Sequence, residues 1–137
     1  MSQGRIASYE PYARSLLRII AGFTFSLHGA QKLLGAFGGM GGKGVKAVFF
    51  SQMWFAGVIE GVGGLLILLG LFTLPTAFIA SGEMAVAYHQ AHYPQNFWPI
   101  LNRGELAVVY CFLFLYFVTA GPGPWSLDAL IRKKPSS

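Results

Sequence analysis

A chain of 137 residues has the size of one domain, and this one is 54% hydrophobic and 11% charged, where an ordinary soluble domain carries about 25% charged residues. That leaves too little polar surface to hold a globule in water and points to a lipid bilayer as the solvent. Ten Lys and Arg against five Asp and Glu give a formal charge of +5, but the basic residues flank apolar stretches, where they anchor to anionic headgroups rather than to nucleic acid.

Residues 1–15 lack the apolar stretch and cleavage site of a signal peptide, so the first spanning helix is expected to direct insertion itself. Four helices are predicted, over about residues 12–36, 54–72, 75–92 and 104–120. Each is close to the ~20 residues needed to cross ~30 Å of hydrocarbon. The first runs into a glycine-rich loop and then an apolar run, residues 45–53, read as a flexible turn and a short segment lying among headgroups. Gly39, Gly41 and Gly44 in that loop have GxGxxG spacing, but no strand precedes them, as a dinucleotide site requires. Phe72 to Pro75 forms a tight link with Pro placed to start the third helix. Pro94 and Pro99 end the third, and Gly121-Pro122-Gly123-Pro124 ends the fourth. The expected fold class is therefore an all-α membrane protein, a single domain over residues 1–137. It is read as an antiparallel four-transmembrane-helix bundle with a short interfacial segment in the first loop.

Four crossings put both termini and the 72–75 link on one side. That side carries Arg5, Arg14, Arg132, Lys133 and Lys134, against Lys43, Lys46 and Arg103 on the other, a bias that places both termini in the cytoplasm. Trp54, Trp98 and Trp125 fall at predicted helix ends, as an aromatic belt requires.

The few ionisable residues are concentrated within the spans or at their mouths, where a charge costs ~2.5–3.5 kcal/mol or more and is usually paired or functional. At about 100° per residue, Arg14, Arg18, Phe25, His28 and Lys32 share one stripe of the first helix, with Gly22 and Gly29 beside it. Leu16, Ile20, Phe23, Leu27 and Leu34 lie opposite and suit lipid. Arg14 and Arg18 are expected to snorkel to headgroups. Glu60 shares a face with Gly57 and Gly64, which suits a close helix contact. Glu83 lies near mid-membrane on the face of Gln90, His89 and His92 lie near the outer end, and Glu105 opens the fourth helix, with Asn102 placed to cap it. Together His28, Lys32, Glu60, His89, His92, Asn102, Arg103 and Glu105 bring polar groups from four helices to one level. A shared cavity and a packing network of ion pairs both fit that pattern. No metal is assigned, because Glu-x-x-His on two helices is not found, and no motif supports a haem. Cys111 is alone, so it is expected to be inert packing.

Read in order, these residues resemble the DoxX family of bacterial membrane proteins over residues 12–128. The resemblance rests on Arg18, His28-Gly29 and Lys32; on Ala56-Gly57, Glu60 and Gly63-Gly64; and on Leu69-Gly70-Leu71 with Thr73. It continues with Phe97-Trp98-Pro99, Asn102, Gly104-Glu105, Gly121, Gly123 and Ser126 to Asp128. It implies a protein of the bacterial inner membrane tied to quinol oxidase or thiosulfate:quinone oxidoreductase assemblies, with other membrane subunits as partners. The expected function is a redox-associated subunit of a quinone-linked oxidoreductase. A quinone-type site is expected in the outer half, with His28, Lys32, Glu60, His89 and Glu105 as ligand-binding residues. The chain holds no CxxC pair, dinucleotide fingerprint or haem-attachment motif. A non-catalytic scaffold of a larger complex, or a pathway for a small solute or protons, are the alternatives.

Overall fold

Seven helices form among residues 3–133, which the computed structural model describes, and caps close several of their ends. A short α1 (Gln3–Ala7) precedes α2 (Glu10–Leu34), which has Pro11 in its first turn and closes on Gly35. There the amide of Gly35 bonds Gln31 and that of Ala36 bonds Ala30, so two carbonyls otherwise left free are satisfied. The next helix, α3 (Gln52–Leu69), starts from Ser51, whose hydroxyl accepts from the Trp54 amide at 3.1 Å, and stops at Gly70, where φ is 66°. A π-turn, Ile59–Gly63, interrupts it. Then α4 (Thr73–Ala87) continues through a second π-turn, Tyr88–His92. The short α5 (Pro99–Asn102), then α6 (Glu105–Ala120) and α7 (Leu127–Arg132), complete the chain.

The four long helical stretches follow the predicted segments to within a few residues. The chain is all-helical, with no strand among the described residues beyond an isolated bridge from Met40 to Val45. By length and composition α3 is the one described helix that meets a strict measure for crossing a membrane, with a mean hydropathy of 1.6 over 18 residues. Longer α2 is more polar, and apolar α6 has 16 residues. Residues 46–51 form no helix, and Val48, Phe49 and Phe50 stand exposed at the start of α3, with the Phe50 ring stacked on Trp54 at 5.4 Å.

Small residues decide how α2 meets α3. A Cβ on Gly29 would run into the backbone of Gly61, and one on Gly22 into that of Leu68. These two helices therefore touch backbone to backbone, as the shared face of Gly57, Glu60 and Gly64 leads one to expect. A second pair, α4 with α6, is joined at Ser81, whose hydroxyl donates to the Cys111 carbonyl at 2.7 Å. Between the pairs lies an aromatic core. Phe25 of α2 meets Phe114 edge-on at 4.7 Å, and Phe114 stacks on Tyr110 at 5.3 Å. Outward, Leu16, Ile20, Phe23, Leu65, Phe78, Val109 and Phe112 are exposed, an apolar surface of the kind that marks contact with lipid or another protein.

The end of the bundle that holds the start of α2 and all of α7 is sealed by residues 121–128. Arg18 does not snorkel, as its position in the sequence suggested; it is fully buried and donates to the carbonyl of Trp125. Its Nε and Nη1 find no acceptor among the described residues, and Nη1 lies against Gly70. Arg14, also turned inward, donates to the Ala120 carbonyl and pairs with Glu10 at 3.1 Å. Asp128 accepts from the amides of Phe72 and Thr73, both at 2.9 Å, and so pins the C-terminal segment to the turn between α3 and α4. Burial raises the proton affinity of that carboxyl, but the amides of Thr73 and Phe72 and the charge of Arg132 outweigh it and hold its pKa below the ordinary value. Lys134 lies outside the described residues.

Candidate functional site

At the opposite end the helices part. α4 packs against α3 mainly along the π-turn and the stretch beyond it and much less along Gln52–Val58, where the two helices diverge. The wedge between them is a cavity of about 950 Å³ walled by α2, α3, α4 and α6. Most of the wall is apolar, including Phe25, Met53, Phe55, Ile59, Ile79, Met84 and Leu106. Phe55, Ile79 and Val86 are each about half exposed at its edge, so the cavity opens sideways between α3 and α4. A hydrogen bond from Gln52 to Gln90 spans that opening.

The polar groups gather on one part of the wall. Lys32 of α2 and Glu60 of α3 form an ion pair at 2.6 Å, with Glu60 only 4% exposed. The backbone contact at Gly29 sets this distance: it brings α2 close enough for an ammonium one turn further along to reach a carboxylate in the π-turn of α3. π-Turns interrupt the regular ladder of the helix and are frequent at functional sites. Glu83 of α4 lines the same cavity, and its Oε2 is buried with no hydrogen-bond partner. His28 lines it beside Tyr110, the two rings edge-on at 6.4 Å, and the Tyr110 hydroxyl is tied to Thr24 at 2.5 Å. His92 and Arg103 stand at the outer rim. The Nδ1 of His92 lies 3.0 Å from the Asn102 carbonyl. A carbonyl can only accept, so Nδ1 carries the proton and a neutral ring presents Nε2 as an acceptor.

Of the five residues singled out from the sequence, His28, Lys32 and Glu60 line the cavity, while His89 and Glu105 do not. His89 is exposed and its Nδ1 is bonded to the Ala85 carbonyl at 2.9 Å. Glu105 is exposed in the first turn of α6, where the helix dipole favours a carboxylate. Asn102, expected to cap α6, serves the loop before it instead. It accepts from the Gly104 amide at 2.8 Å and donates to the carbonyl of Asn96 at 2.7 Å and the hydroxyl of Tyr88 at 3.1 Å. Glu83 and Tyr110 are the wall residues that sequence reasoning left unassigned. The signal for Glu83 was its shared face with Gln90; Tyr110, inside an apolar run, gave none.

The lining contains Lys32 and Arg103 against Glu60 and Glu83, so its formal charges cancel. An apolar slot with acceptors, donors and balanced charge at one end suits an uncharged polar headgroup carried on an apolar body.

A family model described as DoxX matches residues 13–93. The chain is similar to an uncharacterized protein of Haemophilus influenzae, 47% identical over 94% of this chain and 98% of the relative. It is also similar to an uncharacterized membrane protein of Mycobacterium tuberculosis, 29% identical over 88% of this chain and 82% of that one. No solved structure matches.

Proposed function

The chain belongs to the DoxX family of membrane proteins, and on that premise we propose that it is a four-span protein of the bacterial inner membrane whose outer cavity binds a quinone-type headgroup. In this reading α2, α3, α4 with its π-turn, and α6 each cross the bilayer. At ~1.5 Å per residue the 16 residues of α6 rise about 24 Å, a shortfall met by local thinning of the bilayer. The outward apolar faces of all four helices support it, and Arg5, Arg132 and Lys133 at the sealed end favour an orientation with both termini in the cytoplasm.

The observation that carries the ligand class is the wedge itself: an apolar slot open sideways to lipid, ending in a charge-balanced polar group. A membrane-dissolved ligand enters between α3 and α4 and leaves its apolar tail in the outer leaflet. His28 and Tyr110 hydrogen-bond an oxygen of the headgroup, and the Lys32–Glu60 pair fixes the charge around it. A bound quinone supplies the electron-accepting ring, while this chain orients it and manages protons. Electrons come from partner subunits, and the protein is a redox-associated subunit.

The test is binding of a short-chain ubiquinone to the purified protein in lipid nanodiscs. Saturable binding is expected, weakened about tenfold in His28→Ala by the loss of one buried hydrogen bond of ~1.5 kcal/mol, and weakened in Glu60→Gln by the loss of the carboxylate that holds Lys32 in place. Binding that does not saturate, or that both variants leave as tight as in the unsubstituted protein, ends this assignment.

A further inference from the structure

Two carboxyl groups face the cavity, and the structure treats them differently. Glu60 is spoken for, with its Oε2 2.6 Å from the Lys32 ammonium. Glu83 has no such partner: its Oε2 is buried and makes no hydrogen bond within the described residues, and the side chain faces the hollow. A buried oxygen of this kind loses its hydration with nothing in return unless a donor reaches it. The ionisable groups around it are His28 and Lys32 from α2, Glu60 from α3, His92 beyond α4, and Arg103 and Tyr110 from the α6 wall. Lys32 is the cation within electrostatic reach of Glu83, and it already has a carboxylate. Arg103 is exposed at the rim and His92 is tied to Asn102. One ammonium thus serves two carboxyls, which leaves one exchangeable proton at the floor of an apolar slot.

We infer that Glu83 is the carboxyl that meets the bound headgroup and exchanges a proton with it, while Glu60 is committed to Lys32 as a fixed partner. This rests on the proposed quinone-type occupant only for the identity of the headgroup. The step is an acid–base exchange: a headgroup O–H bond breaks as its proton moves to a carboxylate oxygen of Glu83, leaving the electron pair on the headgroup oxygen, and the reverse restores it. No electron moves in this step. The ligand class it requires is an apolar molecule bearing a hydroxyl, in at least one of its states, near the floor of the cavity. Glu60 remains a positioning residue because its contact runs through Lys32.

Dicyclohexylcarbodiimide, an apolar reagent that couples to protonated carboxyls, distinguishes the two groups in the full chain reconstituted in lipid. Peptide mass spectrometry at about pH 7 is expected to find Glu83 labelled about tenfold more than Glu60, whose carboxylate is held by the Lys32 ammonium. Labelling should fall as the pH is raised, vanish in Glu83→Gln without moving to Glu60, and persist in Glu83→Asp. Equal or greater labelling of Glu60, or none on Glu83, overturns the assignment. A short-chain ubiquinone is expected to slow the reaction. If Glu83 labels as described but the quinone gives no protection, the quinone-type occupant fails and the proton-exchanging role of Glu83 stands.

Discussion

Replacing Lys32 by Met removes the cation from a pair that sits at the closest contact of two helices. At 2.6 Å and an effective dielectric of ~20, the attraction between the charges is about 6 kcal/mol. Desolvation offsets most of that, and breaking a buried pair by deleting one partner costs ~3–5 kcal/mol. The Lys32 side chain keeps 19% of its surface against 5% for Glu60, so the lower figure applies, about 3 kcal/mol. Glu60→Gln leaves an ammonium that can still reach water and an amide that still accepts, and should cost about 2 kcal/mol. The double variant Lys32→Met/Glu60→Gln strands no charge and should cost about 2 kcal/mol as well, which makes the coupling energy ~3 kcal/mol. Hydrogen-bond pairs within membrane bundles average ~0.6 kcal/mol in such cycles, so the measurement separates an ion pair from an ordinary polar contact. Unfolding of the four proteins in mixed micelles, followed by circular dichroism, supplies the cycle. A coupling under about 0.5 kcal/mol would mean that the pair is solvated like a surface salt bridge, and the closed floor of the cavity would go with it.

Gly29→Ala places a methyl against the backbone of Gly61 and should destabilise the fold by ~1–3 kcal/mol; the same unfolding assay reads it, and a neutral result would mean that α2 and α3 do not touch there. The pH dependence of the sealed end is set by Asp128. Its folded-state pKa is depressed, so its stabilisation is present above the ordinary carboxyl value and is lost as the pH falls through the depressed one. Trp125 fluorescence should therefore change in acid as residues 121–128 detach, and Asp128→Asn should be looser at neutral pH and lack that acid step.

The helices were legible because Gly and Pro punctuate apolar stretches: Gly35, Pro94, Pro99 and Gly121 mark ends or breaks that the structure keeps, while the expected second helix overran its cap at Gly70. The inward stripe of α2 was legible too, since a regular helix carries Arg18, Phe25, His28 and Lys32 to one side whatever it packs against. At a π-turn that regularity stops, and a wheel drawn at ~100° per residue misplaces the side chains from there on. His92 rather than His89 lines the cavity, and both belong to the π-turn Tyr88–His92. Arg18 was misjudged for a different reason. Its partner is the carbonyl of Trp125, far away in the chain, and no local pattern announces a backbone acceptor delivered by a loop. The divergence of α3 from α4 was equally hidden, because it depends on where two helices stop touching.

The two ends of the bundle use the same kinds of residue and reach opposite outcomes. At the terminal end Arg14, Arg18 and Asp128 meet main-chain groups of residues 72–73 and 120–125, and the chain itself occupies the space between the helices. At the other end Lys32, Glu60, Glu83 and His28 surround a volume that no described segment enters, although Phe49 and Phe50 are exposed just before α3 and could have folded over it. A network that served packing alone would be filled in the first manner, because an unfilled slot forfeits dispersion contacts along its whole wall. Stability is therefore given up at one end of a protein able to seal the other. The losses fall on the groups that a bound headgroup would satisfy: an unpartnered acceptor at Glu83, an imidazole at His28 and an apolar slot open to lipid.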